Sequence, residues 1–126
     1  MVNRLLKLLV LLPAVLFIVT GIRWLVAPAG IAPSFGMTLA EGAGLSTQVG
    51  DLAGFFLNLG SCMLIALITE RRSWFYPPIM LLGYTAIGRV LAWLIHDATL
   101  VVGSIVVELV VAVILFVASR RLSTAS

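Results

Sequence analysis

Charge is scarce in this chain, and so are the residues that usually carry metal or redox chemistry. Only 10% of its 126 residues are Asp, Glu, Lys or Arg, and it has one cysteine, Cys62, and one histidine, His96. A single cysteine excludes an intrachain disulfide and a dithiol motif. One cysteine and one histidine on separate segments do not make a metal site. No cofactor-binding motif is present, so no cofactor is expected. The eight basic residues lift the pI to about 9.8. They form no basic patch interleaved with aromatics, so nucleic acid is not an expected partner. Soluble domains are about half apolar and a quarter charged. This chain is 62% hydrophobic, with a mean hydropathy of +1.21, which points to lipid as its solvent.

What is present is a set of four long apolar stretches, each near the ~20 residues that cross a bilayer. They run over about 5–26, 49–69, 75–95 and 100–119. The expected fold is all-α: a single four-helix transmembrane domain over 1–126, with up-down topology. The opening "MVNRLLKLLVLLPAVLFIVTG" also has the basic start of a signal peptide, and Ala27 and Ala29 supply an A-x-A. Its apolar stretch exceeds the ~7–15 residues of a signal h-region, which favours an uncleaved helix.

Orientation follows from Lys and Arg. Arg4 and Lys7 precede the first span, Arg71 and Arg72 separate the second from the third, and Arg120 and Arg121 follow the fourth. An even number of spans places these groups on one side, so both termini are expected in the cytoplasm. "ERRSW" and "HDAT" are tight connections. The 27–48 connection is long and rich in Gly, Ala and Pro, and it reads either as a lid or interfacial helix or as a floppy loop. Its "SFGMTLAEG" portion is expected to supply any helical turns.

Two cations fall outside the orientation pattern, Arg23 and Arg89. Arg89 lies seven residues before His96, and Glu108 lies a similar distance into the fourth span. At ~1.5 Å per residue both sit about 10 Å below the outer surface, so they are expected to pair. Asp51, Asn58 and Cys62 share a helical face, and Trp93 is one turn from Arg89. Thr20, Glu41 and Asp97 add polar groups to the same outer half. A charge deep in a span costs about 2.5–3.5 kcal/mol on insertion scales, and Glu108 is too short to snorkel. The cluster therefore either fastens helices together or lines a small outward-facing cavity. For the second role the candidate acid–base groups are Glu108, Asp51 and His96. The candidate ligand-binding groups are Arg89, Trp93, Asn58, Tyr84 and Arg23.

Smaller features have packing explanations. Gly50 and Gly54 form a GxxxG, a sign of close helix packing within the chain or between protomers. Pro13 can bend the first span, while Pro77 and Pro78 suit the start of the third. Trp74, Phe75 and Tyr76 read as an interfacial aromatic belt. Cys62 reads as a small packing residue.

Four spans, a long first outer loop, Asp51 opening the second helix, "GR" at Gly88–Arg89 in the third and Glu108 in the fourth together resemble the DoxX-like group of small bacterial four-helix membrane proteins, particularly its uncharacterised members. The resemblance covers nearly the whole chain and implies the bacterial inner membrane. Within that group some members resemble quinone-linked oxidoreductase subunits, and others are accessory or chaperone-like. Asp51, Gly88, Arg89 and Glu108 are the positions it singles out.

Three functions remain open on these residues. One is a non-catalytic accessory or assembly subunit, held in a homo-oligomer or a larger membrane complex. Another is a binding protein or enzyme for a small amphipathic molecule such as a quinone, isoprenoid or lipid. In that case Arg89 holds an oxygen, Glu108 or Asp51 acts as base, His96 shuttles protons, and Trp93 and Tyr84 flank the apolar body. The third is an oligomeric transporter, although the chain shows neither an inverted repeat nor a charged ring.

Overall fold

The computed structural model describes residues 1–124, and the structure is all-helical, with no strand among the described residues. In chain order it has α1 (Val2–Val26), α2 (Pro28–Ile31), a 3-10 turn (Ala32–Phe35), α3 (Ala43–Thr69), a 3-10 turn (Arg72–Trp74), α4 (Tyr76–His96) and α5 (Val102–Arg121). Four segments, Val2–Val26, Ala43–Thr69, Arg72–His96 and Val102–Arg121, are long and apolar enough to cross a membrane. That is the pattern of a multi-pass membrane protein. The chain divides into two compact units, Met1–Leu11 with Cys62–Ser126, and Leu12–Ser61.

The first unit is built around the α4–α5 hairpin. Pro77 and Pro78 start α4, where a missing N–H costs no hydrogen bond. The helix ends at Asp97, in the left-handed conformation (φ 57°), with Ala98 N–H reaching back 3.1 Å to Ala92 O. This back-bond satisfies a terminal carbonyl and turns the chain sharply toward α5. Buried residues recur at helical spacing: Pro78, Leu82 and Ala86 on α4, and Glu108, Val111, Leu115, Ala118 and Leu122 along α5 and its end. The outward residues of α5, including Val102, Val106, Val110 and Val113, are large, apolar and exposed, as suits a helix facing lipid. Phe75 departs from the expected aromatic belt. Trp74 and Tyr76 are exposed, whereas Phe75 is fully buried, because the 3-10 turn at 72–74 rotates it toward the core.

The second unit pairs the later half of α1 with the first half of α3, antiparallel. A Cβ on Gly60 would lie 2.6 Å from Ala14 O and Ile18 Cγ1, and one on Gly21 would lie 2.7 Å from Leu57 Cγ. The two helices touch there because glycine lets backbones approach. The expected GxxxG is not what brings them together, since a Cβ at Gly50 or Gly54 meets nothing within 4 Å.

Between α1 and α3 the connection is ordered, and shorter than the sequence suggested. The α3 helix starts at Ala43 rather than near residue 49. The polar Ser46, Thr47 and Gln48 close a sequence-based span, but they do not break a helix: Thr47 Oγ1 donates to Ala43 O at 3.1 Å. The helical turns fall in "PAGIAPSF", earlier than the expected "SFGMTLAEG", because Pro28 and Pro33 preset helical φ at their starts. Gly36 (φ 67°) and Gly42 (φ 57°) supply the left-handed residues that end the first turns and lead into α3. Gln48 then ties the strap down, its Oε1 accepting from Ala40 N–H at 2.7 Å and its Nε2 donating to Thr38 O at 3.1 Å. Ile31 and Ala32 are buried with Trp24 and Ala53, and Phe35, Met37 and Leu39 pack against them. The 27–42 segment is thus a folded cap on its unit.

Candidate functional site

The expected ion pair is present in the first unit. Arg89 Nε lies 3.0 Å from both Glu108 Oε1 and Oε2. On α5, Glu108 heads the buried stripe that continues through Val111 and Leu115. On α4, Arg89 stands one turn beyond the buried Ala86. Both charges therefore sit on the faces through which the two helices pack, and each meets the other instead of lipid. The Glu108 side chain is 11% exposed and that of Arg89 33%. The Glu108 side chain is nearly sealed, while about a third of the Arg89 side chain is exposed. Both carboxylate oxygens share one N–H, and the Arg89 Nη groups have no partner among the described residues. It is the only ion pair among the described residues.

The other candidates of this unit stand apart from the pair. Trp93 is exposed one turn after Arg89, and His96, the last residue of α4, is exposed with no side-chain partner among the described residues. Tyr84 is also exposed, but the five-residue step to Arg89 turns about 140° around the helix, so it cannot flank a ligand on the same side as Trp93. An apolar groove of about 410 Å³ opens between α4 and α5. Gly83, Ala86 and Leu91 line it on one side, and Ile105 and Leu109 on the other. No charged residue contributes to its lining.

In the second unit Asp51 and Asn58 are exposed on α3. Arg23 is exposed near the end of α1, with Nη2 3.5 Å from Gly30 O, a long contact. Thr20 donates to Leu16 O within its own helix, so its hydroxyl is already satisfied. The residue that sequence reasoning passed over is Trp24. A tryptophan at a span end reads as an interfacial anchor. Here it is fully buried, edge-on to Phe35 at 5.7 Å, and Phe35 in turn meets Phe56 at 5.4 Å. Its Nε1–H has no acceptor among the described residues. The available signal was the string of apolar residues in the following connection, which needed something to pack on.

Chemically, this arrangement holds a closed ion pair and a separate apolar groove on one helical hairpin, and a capped aromatic cluster elsewhere. Compared with family models, with curated proteins and with solved structures, the chain matches none.

Proposed function

We propose that this chain is a DoxX-like accessory or assembly protein of the bacterial inner membrane. In this reading it crosses the membrane four times in up-down order with both termini in the cytoplasm, is non-catalytic, and works as a homo-oligomer or within a larger membrane complex. The observation that carries the reading is the closed Arg89–Glu108 pair. A carboxylate whose two oxygens are both engaged by one guanidinium N–H, in a nearly sealed position, is a fastener between α4 and α5 rather than a free base. In lipid such a pair sets helix register, with a net contribution of about 1 kcal/mol. The likeness at Asp51, Gly88, Arg89 and Glu108 supports the family reading, and the six basic residues near span ends support the orientation.

The apolar groove favours a second reading, in which its walls take the tail of a quinone, isoprenoid or lipid while the Arg89 Nη groups hold a polar head. Native nanodisc extraction of the unaltered protein and of Arg89→Ala, with mass spectrometry of everything retained, separates the two. The accessory reading expects a protein partner or further copies of the chain, lost together with folding in the variant. A stoichiometric small molecule, lost from a variant that still folds, would replace it with the second reading.

A further inference from the structure

Six of the eight basic residues belong to the first unit's share of the helix ends. That unit takes the first ten residues of α1 and the last eight of α3, together with α4 and α5. The start of α1 thus lies with the end of α3, the start of α4 and the end of α5. Direct contacts tie three of these together: Arg72 Nε donates to Ser119 O at 3.2 Å, and Thr124 N–H donates to Glu70 O at 2.9 Å. Arg4, Lys7, Arg71, Arg72, Arg120 and Arg121 gather at this end, against one side-chain carboxylate among the described residues, Glu70.

These cations divide by what they do. Arg72 caps a carbonyl near the end of α5, and Arg120 lies over the Phe116 ring at 5.4 Å. The side chains of Arg4, Lys7, Arg71 and Arg121 are exposed and have no ion-pair or hydrogen-bond partner among the described residues. The carboxylate of Glu70 forms no ion pair with any of them. Four exposed cations stand beside four apolar helix ends, where a four-span chain would meet phospholipid phosphates, and no carboxylate among the described residues pairs with them. Orientation alone needs a charge bias. It does not need the cations drawn into one unit around a folded turn.

We propose that this end of the first unit is a binding surface for anionic phospholipid headgroups, with Arg4, Lys7, Arg71 and Arg121 meeting the phosphates around a platform held by Arg72. A juxtamembrane cluster of this size attracts anionic lipid through roughly additive contributions from each cation, about fivefold in affinity apiece. The attraction falls once the Debye length shrinks below the spacing of the charges. The inference uses the membrane-spanning reading but not the accessory role.

The test is native mass spectrometry of the full chain in a neutral detergent, titrated with phosphatidylglycerol or with phosphatidylcholine of identical acyl chains. Phosphatidylglycerol should bind at least about tenfold more tightly at ~0.01 M salt and lose most of that preference at ~0.15 M. Replacing Arg4, Lys7, Arg71 and Arg121 together by Gln should remove the preference, whereas Arg23→Gln, which removes an exposed cation outside this cluster, should keep it. Equal binding of the two lipids overturns the proposal, as does a preference indifferent both to salt and to the four substitutions. Inorganic phosphate at matched ionic strength should displace no more lipid than chloride does. Outright displacement would make the surface a free-phosphate site and overturn the lipid assignment. If the fourfold variant does not fold, the salt series on the unaltered protein decides. A chain that stays monodisperse without detergent would sink the membrane reading itself, which is a different failure.

Discussion

Replacing Gly60 by alanine adds one methyl group where the second unit has no room for it. The new Cβ would stand 2.6 Å from Ala14 O and from Ile18 Cγ1, and 3.1 Å from Ile18 N. The Ile18 side chain can rotate away, but a carbonyl oxygen fixed in the α1 ladder cannot. To reach the 3.4 Å of ordinary contact, α1 must back off by about 0.8 Å, opening the Gly21–Leu57 approach on the same seam. Overpacking of this kind costs about 1–3 kcal/mol, and a clash with backbone belongs at the upper end. Against it stands the gain of about 1 kcal/mol that alanine brings to an unhindered helix position. Gly54→Ala isolates that gain, since its Cβ meets nothing within 4 Å. Reversible unfolding of purified protein in mixed micelles, followed by circular dichroism, should place Gly54→Ala about 0.5–1 kcal/mol above the unaltered protein. Gly60→Ala should lie about 2 kcal/mol below it. Equal stability of the two variants would refute the close α1–α3 seam.

Gln48→Ala should cost about 1 kcal/mol and speed amide hydrogen exchange at Ala40, because both hydrogen bonds that hold the strap end on this side chain. Exchange elsewhere in α3 should change little, and an unchanged rate at Ala40 would mean the strap is held by its apolar contacts alone. Trp24→Phe removes a buried N–H that has no acceptor while keeping most of the ring packing, so it should cost much less than the 3–5 kcal/mol typical of Trp→Ala in a core. Unfolding of the two variants under one denaturant series gives the comparison, and equal losses would show that the indole N–H is satisfied in solution.

The helices were legible because lipid simplifies the code. A span must be long, apolar and internally hydrogen-bonded, and Leu5–Val26 or Leu100–Ser119 can satisfy that in only one way. Helix ends were less legible, because the apolar stretch and the hydrogen-bonded helix are different objects. Ser46, Thr47 and Gln48 belong to the second but not the first, which is why α3 begins at Ala43. The Arg89–Glu108 pair could be read from matching depth on two helices joined by a tight turn. Nothing in the spacing indicated that one N–H would serve both carboxylate oxygens. Glycine was the poorest guide. Gly50 and Gly54 carry the familiar spacing yet face open space, while the two that let α1 and α3 meet, Gly21 and Gly60, belong to different helices and form no motif in one dimension. Phe75 misleads for a related reason: an aromatic at a span end is an anchor only if the neighbouring chain does not turn it into the core.

On the accessory reading, Arg89 and Glu108 hold α4 to α5 rather than act separately on a substrate. A double-mutant cycle of Arg89→Gln, Glu108→Gln and both together, read as unfolding free energy in micelles, tests it most directly. Each single change should cost about 2–3 kcal/mol by leaving a charge in the span without its partner. The double variant should recover most of that loss, because a pair of neutral amides leaves no charge to bury. Single variants as stable as the unaltered protein, or losses that simply add in the double variant, would show that the two charges act independently and would contradict the account.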